Sequence, residues 1–416
     1  MADCSYVGCP FRIKAAFFVS AYVLIVLAKA IRDFRTSALV KQLDMRAVIV
    51  EVKLPAFPPM AEETKTMAES IGYEIVGTLV QKRNSIHHSY TIGSGRLNDL
   101  KRLVEENEAD LVIFANPLTS SHVFKLTQHL GGEVRVIDRN LLILEVFDKR
   151  AFTNEAKLQI RLAKLKYTLS WGREFIKLRG IMGEQLGWMG PGDYPYQEYY
   201  RAARNRISRI ESELEDIYEK KMLKRDHRRE LGFPTVALAG YTQAGKTSYF
   251  NHMTHEEKSV GLGPFTTLTT FARKANYGSA PGSGEFIMID SIGFIEDMHP
   301  IILKAFHATL GELAAADLVL MFVDASDRKF PLERKVRSCC QILREVDINA
   351  TTVICANKID LMSAEQLEEA KEIIGKYFIN EEIVPLSVKT GENLDLLLSL
   401  IRSKLQTQRP LVNLRK

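Results

Sequence analysis

Residues Gly240, Tyr241, Thr242, Gln243, Ala244, Gly245, Lys246 and Thr247 set two glycines, a lysine and a hydroxyl at the spacing of a phosphate-binding loop. An apolar run over 236–239 precedes them and a helix-like stretch over 248–251 follows. That order, strand then glycine turn then helix start, is what phosphate chemistry needs. Glycines let backbone amides close on the phosphates, because no side chain blocks the approach. The helix start adds unpaired amides and the positive end of its dipole. Lys246 is then expected to reach the β- and γ-phosphates, and the Thr247 hydroxyl to ligate Mg²⁺. A plain glycine turn would use the same residues, so the segments downstream decide the matter.

A second apolar run, 286–289, ends at Asp290, Ser291, Ile292 and Gly293, a D-x-x-G pattern. In that pattern the carboxylate holds Mg²⁺ through water and the glycine amide meets the γ-phosphate. A third run, 352–356, delivers Asn357, Lys358, Ile359 and Asp360. A carboxylate at the fourth position accepts hydrogen bonds from guanine N1–H and its exocyclic amine. Adenine lacks that donor pair, and a buried acceptor left unmatched is costly. Ser387, Val388 and Lys389, after the run 383–386, are placed to back the base. All these motifs follow strand-like runs in order, where open α/β sheets bind ligands. Together they imply a GTP-binding domain with GTP as substrate. Between the loop and Asp290 lies Phe265, Thr266, Thr267, Leu268 and Thr269, a threonine-rich stretch too irregular for a strong helix. A hydroxyl here is suited to complete the Mg²⁺ shell while a γ-phosphate is present and to leave after hydrolysis.

The residues around these motifs resemble the HflX family of ribosome-associated GTPases. The resemblance is carried by 240–247, by Phe265 to Leu268, by Asp290 to Ile295 and by Val323-Asp-Ala-Ser326. It continues upstream in Tyr90-Thr-Ile-Gly-Ser-Gly-Arg96, Val136-Ile-Asp-Arg139, Leu141 to Phe147, Glu155 to Gln159, Leu165-Lys-Tyr167 and Gly190-Pro-Gly192. It spans about Met45 to residue 405. Three departures stand out: Met189 where the family usually has arginine, Thr269 where it commonly has aspartate, and no expected counterpart of the C-terminal domain that some members carry. The resemblance implies that Thr267 is the Mg²⁺-binding switch threonine, joining Thr247 and Asp290 as metal ligands, with Lys246, Thr267 and Gly293 as the catalytic set. It also implies a large ribosomal subunit and its rRNA as partner, and a role in splitting or rescuing idle ribosomes. Phe294 falls where Ras-like proteins place a water-positioning glutamine. A phenyl ring cannot orient a nucleophilic water, so slow intrinsic hydrolysis, accelerated by a partner or a moving loop, is expected. Alternatively, Phe294 is a core residue whose replacement changes stability rather than rate.

The elements that position these residues follow from periodicity. The expected fold is α/β: a P-loop GTPase domain with a mixed, mostly parallel sheet flanked by helices, preceded by a small α/β domain and an antiparallel two-helix hairpin. Short apolar runs at 48–50, 75–80, 111–114 and 134–137 alternate with helical stretches and define the small domain, 45–150, with a largely parallel sheet. Leu158, Leu162, Leu165 and Leu169 form one apolar seam, and Ile207, Ile210, Leu214 and Ile217 form another. They predict a hairpin over 151–231. Between them Gly180, Gly183, Gly187, Gly190 and Gly192 make a glycine-rich loop around Trp188, suited either to a flexible tip or to entry among RNA backbones with Trp188 stacked on a base. The GTPase domain is assigned to 232–408 and a short tail to 409–416. Basic residues at 201–209 and 220–229 flank acidic Glu211, Glu213, Glu215, Asp216 and Glu219. The expectation is pairing along the helix at i, i+4, with the basic ends available to phosphates.

The chain of 416 residues is 46% hydrophobic and 26% charged, ordinary for globular domains, and its net charge of +5 permits RNA contact without requiring it. Five cysteines lack metal-binding spacing, which predicts reduced thiols and a cytoplasmic setting. Residues 1–44 read as a leader. Its uncharged core, 15–28, falls short of the ~20 residues that span a bilayer. It is expected to be an accessory or mis-assigned start, with a peripheral membrane contact as the second reading. A monomer is expected. Two other classes remain open: an RNA-remodelling ATPase whose small domain binds ATP near Gly93-Ser94-Gly95-Arg96, and a membrane-associated signalling GTPase.

Overall fold

The computed structural model describes residues 45–55, 59–181, 193–255, 271–277, 284–296, 299–346, 348 and 350–407. The leader, Trp188 and Met189 with the glycines at 183–192, the threonine-rich segment 265–269 and the tail 409–416 lie outside these residues. The chain forms two compact units. One comprises residues up to Glu145 with Thr168–Asp193, the other Val146–Tyr167 with Tyr194 onward.

In the first unit, strands β1 (Arg46–Lys53), β2 (Glu74–Lys82), β3 (Leu111–Phe114) and β4 (Arg135–Asp138) form a sheet of order β2-β1-β3-β4, every pair parallel. Helices α1 (Ala61–Glu69), α2 (Ser94–Glu106) and α3 (Ser120–His129) make the crossovers. Val48, Val50, Val112 and Phe114 are fully buried and pack with Leu97, Leu100 and Leu126. These strands are apolar on both faces, as helix-covered parallel strands must be. Near the end of β1, Asn116 takes the place of a ladder partner. Its Oδ1 accepts the Val52 N–H at 2.7 Å and its amide donates to the Val52 carbonyl at 3.1 Å. Glu51, also buried there, accepts the Met60 N–H at 2.6 Å.

Helix α4 (Arg139–Arg150) leads to α5 (Asn154–Ile181) and α6 (Asp193–Glu230). Leu158, Leu162, Leu165 and Ile210 form a buried cluster, with Ile207, Leu214 and Ile217 packed against it. The predicted seam therefore exists, but Leu169 is outside that cluster. Gly180 belongs to α5 rather than to the loop. It is the second-to-last residue of that helix, where the end turn accepts glycine without the full interior penalty. The described ion pairs also differ from the i, i+4 expectation. Lys166 pairs with Glu211 at 2.6 Å, and Lys221 lies between Glu155 (2.8 Å) and Glu312 (3.3 Å). These pairs join neighbouring elements, because facing helices bring opposite charges closer than one turn does.

The second sheet has order β10-β9-β8-β5-β7-β6. Its strands are β5 (Thr235–Gly240), β6 (Phe271–Asn276), β7 (Glu285–Asp290), β8 (Leu318–Asp324), β9 (Thr351–Asn357) and β10 (Glu382–Pro385). All neighbours are parallel except β6 and β7, so the mixed, mostly parallel expectation holds. Helices α7 (Lys246–Thr254), α8 (Pro300–Ala305), α9 (His307–Ala314), α10 (Lys329–Glu345), α11 (Ala364–Tyr377) and α12 (Leu394–Thr407) flank it. Val236, Leu238, Phe286, Met288, Leu320, Phe322, Val353 and Cys355 fill its core with Tyr249, Phe250, Leu397 and Ile401. Among the described residues, Cys339, Cys340 and Cys355 are free buried thiols. Burial drives the Cys355 thiol pKa upward and that of Cys339 to about 12, so both stay protonated at neutral pH. No described helix is long and apolar enough to cross a membrane.

Candidate nucleotide-binding site

Strands β5, β7, β8 and β9 each end in a residue of the site: Gly240, Asp290, Asp324 and Asn357. Parallel order puts those ends on one edge, so motifs far apart in sequence become neighbours.

The loop 240–247 closes tightly on itself. Gly240 has φ +136, and a Cβ there would lie 2.1 Å from the Phe322 carbonyl oxygen, so only glycine fits. Gln243 (φ 65) and Gly245 (φ 102) also take left-handed conformations, which turn successive amides inward. Lys246 opens α7 and is buried. Its ammonium donates to the carbonyls of Gly240 (2.9 Å) and Tyr241 (2.7 Å). Burial lowers its pKa to about 8, and the nearby Asp290 carboxylate opposes that fall. A phosphate beside it would favour the charged form further.

Thr247 Oγ1 donates to Asp290 Oδ2 at 3.3 Å, and both residues are buried. A hydroxyl and a carboxylate facing one another beside a phosphate loop are hard oxygen donors of the kind Mg²⁺ takes, and they fit that ion. Ser291 donates its hydroxyl to the Leu238 carbonyl at 2.5 Å, and Ile292 is buried, so this pair holds the turn. Gly293 lies directly on the phosphate loop. A Cβ there would meet Thr242 Cγ2 at 2.8 Å and Lys246 Nζ at 3.2 Å. Phe294 is 2% exposed, its ring in the core and its backbone bridged to Tyr241.

Asn357 uses both ends of its amide. Nδ2 donates to the Ala244 carbonyl at 2.8 Å, and Oδ1 accepts the Val388 N–H at 3.1 Å. Lys358 is left-handed (φ 70), and its ammonium pairs with Asp324. Asp360 sits in the short helical turn Ile359–Leu361, where the Ser387 hydroxyl donates to its Oδ1 at 2.6 Å. Ser387 Oγ in turn accepts the Thr390 N–H at 3.2 Å. Lys389 is exposed at the rim. The geometry thus assembles the expected residues 240–247, 290–293, 357–360 and 387–389 at one edge. Two residues with no assigned role in the sequence join them: Asp324, which anchors Lys358, and Ser326, whose hydroxyl and amide bind Asp324 Oδ1 at 2.6 and 3.2 Å. Their signal was present, since Val323-Asp-Ala-Ser326 ends an apolar run as the other motifs do.

The sheet and its edge define a P-loop GTP-binding domain. Residues 235–358 match the family described as 50S ribosome-binding GTPase. Residues 59–148 match GTP-binding GTPase N-terminal, and 150–228 match GTP-binding GTPase Middle Region. The GTPase HflX of Thermofilum pendens is 40% identical over 79% of this chain and 77% of its own length. That of Caldanaerobacter subterraneus is 35% identical over 86% and 80%. A GTP-binding protein of Sulfolobus solfataricus solved with GDP aligns over 88% of this chain and 100% of its own at 24% identity, with a TM-score of 0.45. The chain belongs to the HflX family of GTPases, and it is a GTPase.

Proposed function

We propose that this GTPase is a Mg²⁺-dependent switch that engages the large ribosomal subunit in its GTP form and leaves after hydrolysis. The observation that carries the switch is the close approach of Gly293 to Thr242 and Lys246, which leaves no room for a Cβ between them. The D-x-x-G turn sits against the loop that would hold the terminal phosphate, so gain or loss of that phosphate must be felt by the segment after Gly293. Thr247 and Asp290 would hold the metal, which would neutralise charge on the phosphates. Thr267 would complete its shell. The Phe294 side chain offers no polar atom to a water, which supports slow hydrolysis without a partner. The description of the matched family supports a ribosomal partner, and splitting of idle ribosomes is the role proposed for it. The test is GTP turnover with and without purified large subunits. At least ten-fold stimulation is expected, and equal rates would refute the ribosomal part.

A second reading has one observation in its favour. In the first unit, Gly93 caps α2 with no side-chain cap and no acidic residue in the first turn, and Arg83, His87 and Arg96 line a cleft there together with Asp99, which pairs with Arg96 at 3.2 Å. Such a helix start attracts anions. ATP binding that survives Lys246→Ala would support a nucleotide site in this unit.

A further inference from the structure

The pairing between the phosphate loop and the D-x-x-G segment does not stop at Gly293. Phe294 N–H donates to the Gly240 carbonyl at 2.9 Å, and the Phe294 carbonyl accepts the Thr242 N–H at 2.9 Å. Two residues on, a side chain takes over. The Glu296 N–H donates to Tyr241 Oη at 3.1 Å. The Glu296 carboxylate is buried and forms an ion pair with Arg334 of α10, Nε to Oε2 at 2.6 Å, in a geometry that is not a straight hydrogen bond. On the next residue of the same helix, Lys335 stands 5.3 Å from the Tyr241 ring centre and pairs with Asp327 at 2.6 Å. The Tyr241 ring is therefore held by α10, and its hydroxyl and the Glu296 carboxylate fix one short backbone stretch from two sides.

That stretch matters because the Phe294 side chain is spent in the core. With no polar side chain at that position, the D-x-x-G segment itself can meet a terminal phosphate and its attacking water only through backbone groups of Gly293 and its described neighbours. Their placement depends on whatever anchors 293–296. A buried ion pair contributes little net stability compared with apolar packing, so its value lies in fixing one geometry. We propose that Tyr241, Glu296 and Arg334 are positioning residues for GTP hydrolysis. They hold the 293–296 backbone in register with the phosphate loop and so set turnover rather than nucleotide affinity. The inference rests on the GTPase activity and not on the ribosomal partner.

The test uses the full chain, with Mg²⁺-GTP and GDP as probes. Tyr241→Phe removes one oxygen and leaves the Glu296 amide without its acceptor. Arg334→Met keeps the bulk and removes the charge. Each is expected to lower kcat about ten-fold, equivalent to about 1.4 kcal/mol. KM for GTP and affinity for GDP should stay within about two-fold. Arg334→Lys should recover part of the rate. The double variant should fall little further than either single one, because both act on the same backbone. Unchanged kcat in Tyr241→Phe overturns the proposal. So does a loss of GDP affinity in step with kcat and with a lowered unfolding midpoint, the pattern of a purely structural role. If Arg334→Met does not fold, Tyr241→Phe carries the test alone.

Discussion

At the scale of single residues, the base-reading carboxylate is held rather than merely present. Ser387 donates to one oxygen of Asp360 and is itself fixed by the Thr390 amide. Asp360→Ala should therefore weaken GTP binding about a hundred-fold, since two charge-assisted hydrogen bonds are lost, while ATP binding stays weak. Ser387→Ala, which frees the carboxylate to rotate and leaves the Thr390 N–H without this acceptor, should cost roughly five-fold, and fluorescent-nucleotide titration would show both. Phe294 separates stability from rate. Its ring is among the fully buried large side chains. Phe294→Ala should lower unfolding free energy by about 3 kcal/mol in urea titrations. Most of these residues were legible in the sequence because phosphate and guanine recognition constrain type and spacing within a few positions. The Tyr241–Glu296–Arg334 set was not, because Arg334 acts from α10 and no local spacing encodes that meeting; Asp324 lay in a visible strand-end stretch, but its pairing with Lys358 is seen only in three dimensions.

At the scale of elements, the parallel strands other than β8 were read as apolar runs, while β6 was not. Its sequence Phe271-Ala-Arg-Lys-Ala-Asn276 alternates weakly, as an antiparallel edge strand with one solvated side does. The hairpin was legible from its seams, but its charge pairing was not, since the sequence shows only neighbours along one helix. Lys221 bridges Glu155 and Glu312 while keeping less than a third of its side chain exposed. Lys221→Met should leave two carboxylates facing one another and destabilise the second unit by about 1 kcal/mol at low salt, less at high salt. A loss independent of ionic strength would show that packing of the lysine stem matters more. In the first unit, the Asn116 amide and Glu51 satisfy backbone groups near and beyond the end of β1. Composition gave no hint of this, because a side chain standing in for a strand's ladder partner is visible only in three dimensions.

At the scale of the whole molecule, each of the two units has its own sheet and core, and both sheets have helices packed on them. Nucleotide should stabilise the GTPase sheet by mass action. Saturating GDP with Mg²⁺, at about a hundred times its dissociation constant, should add about 2.7 kcal/mol to the unfolding free energy of the unit that binds it. Chelating the metal should remove part of that gain if Thr247 and Asp290 hold it, and Asp290→Asn should make the gain insensitive to chelator. Calorimetry with and without EDTA checks both.

The amide of Asn357 ties Ala244 on the phosphate side to Val388 on the base side, and Gly245 leaves it the room, since a Cβ there would lie 2.1 Å from Nδ2. One side chain thus behaves as a strut of fixed length between the two ends of the cleft. Nucleosides with a stretched or acyclic sugar should be turned away however well their guanine pairs, because the cleft gauges span as well as base.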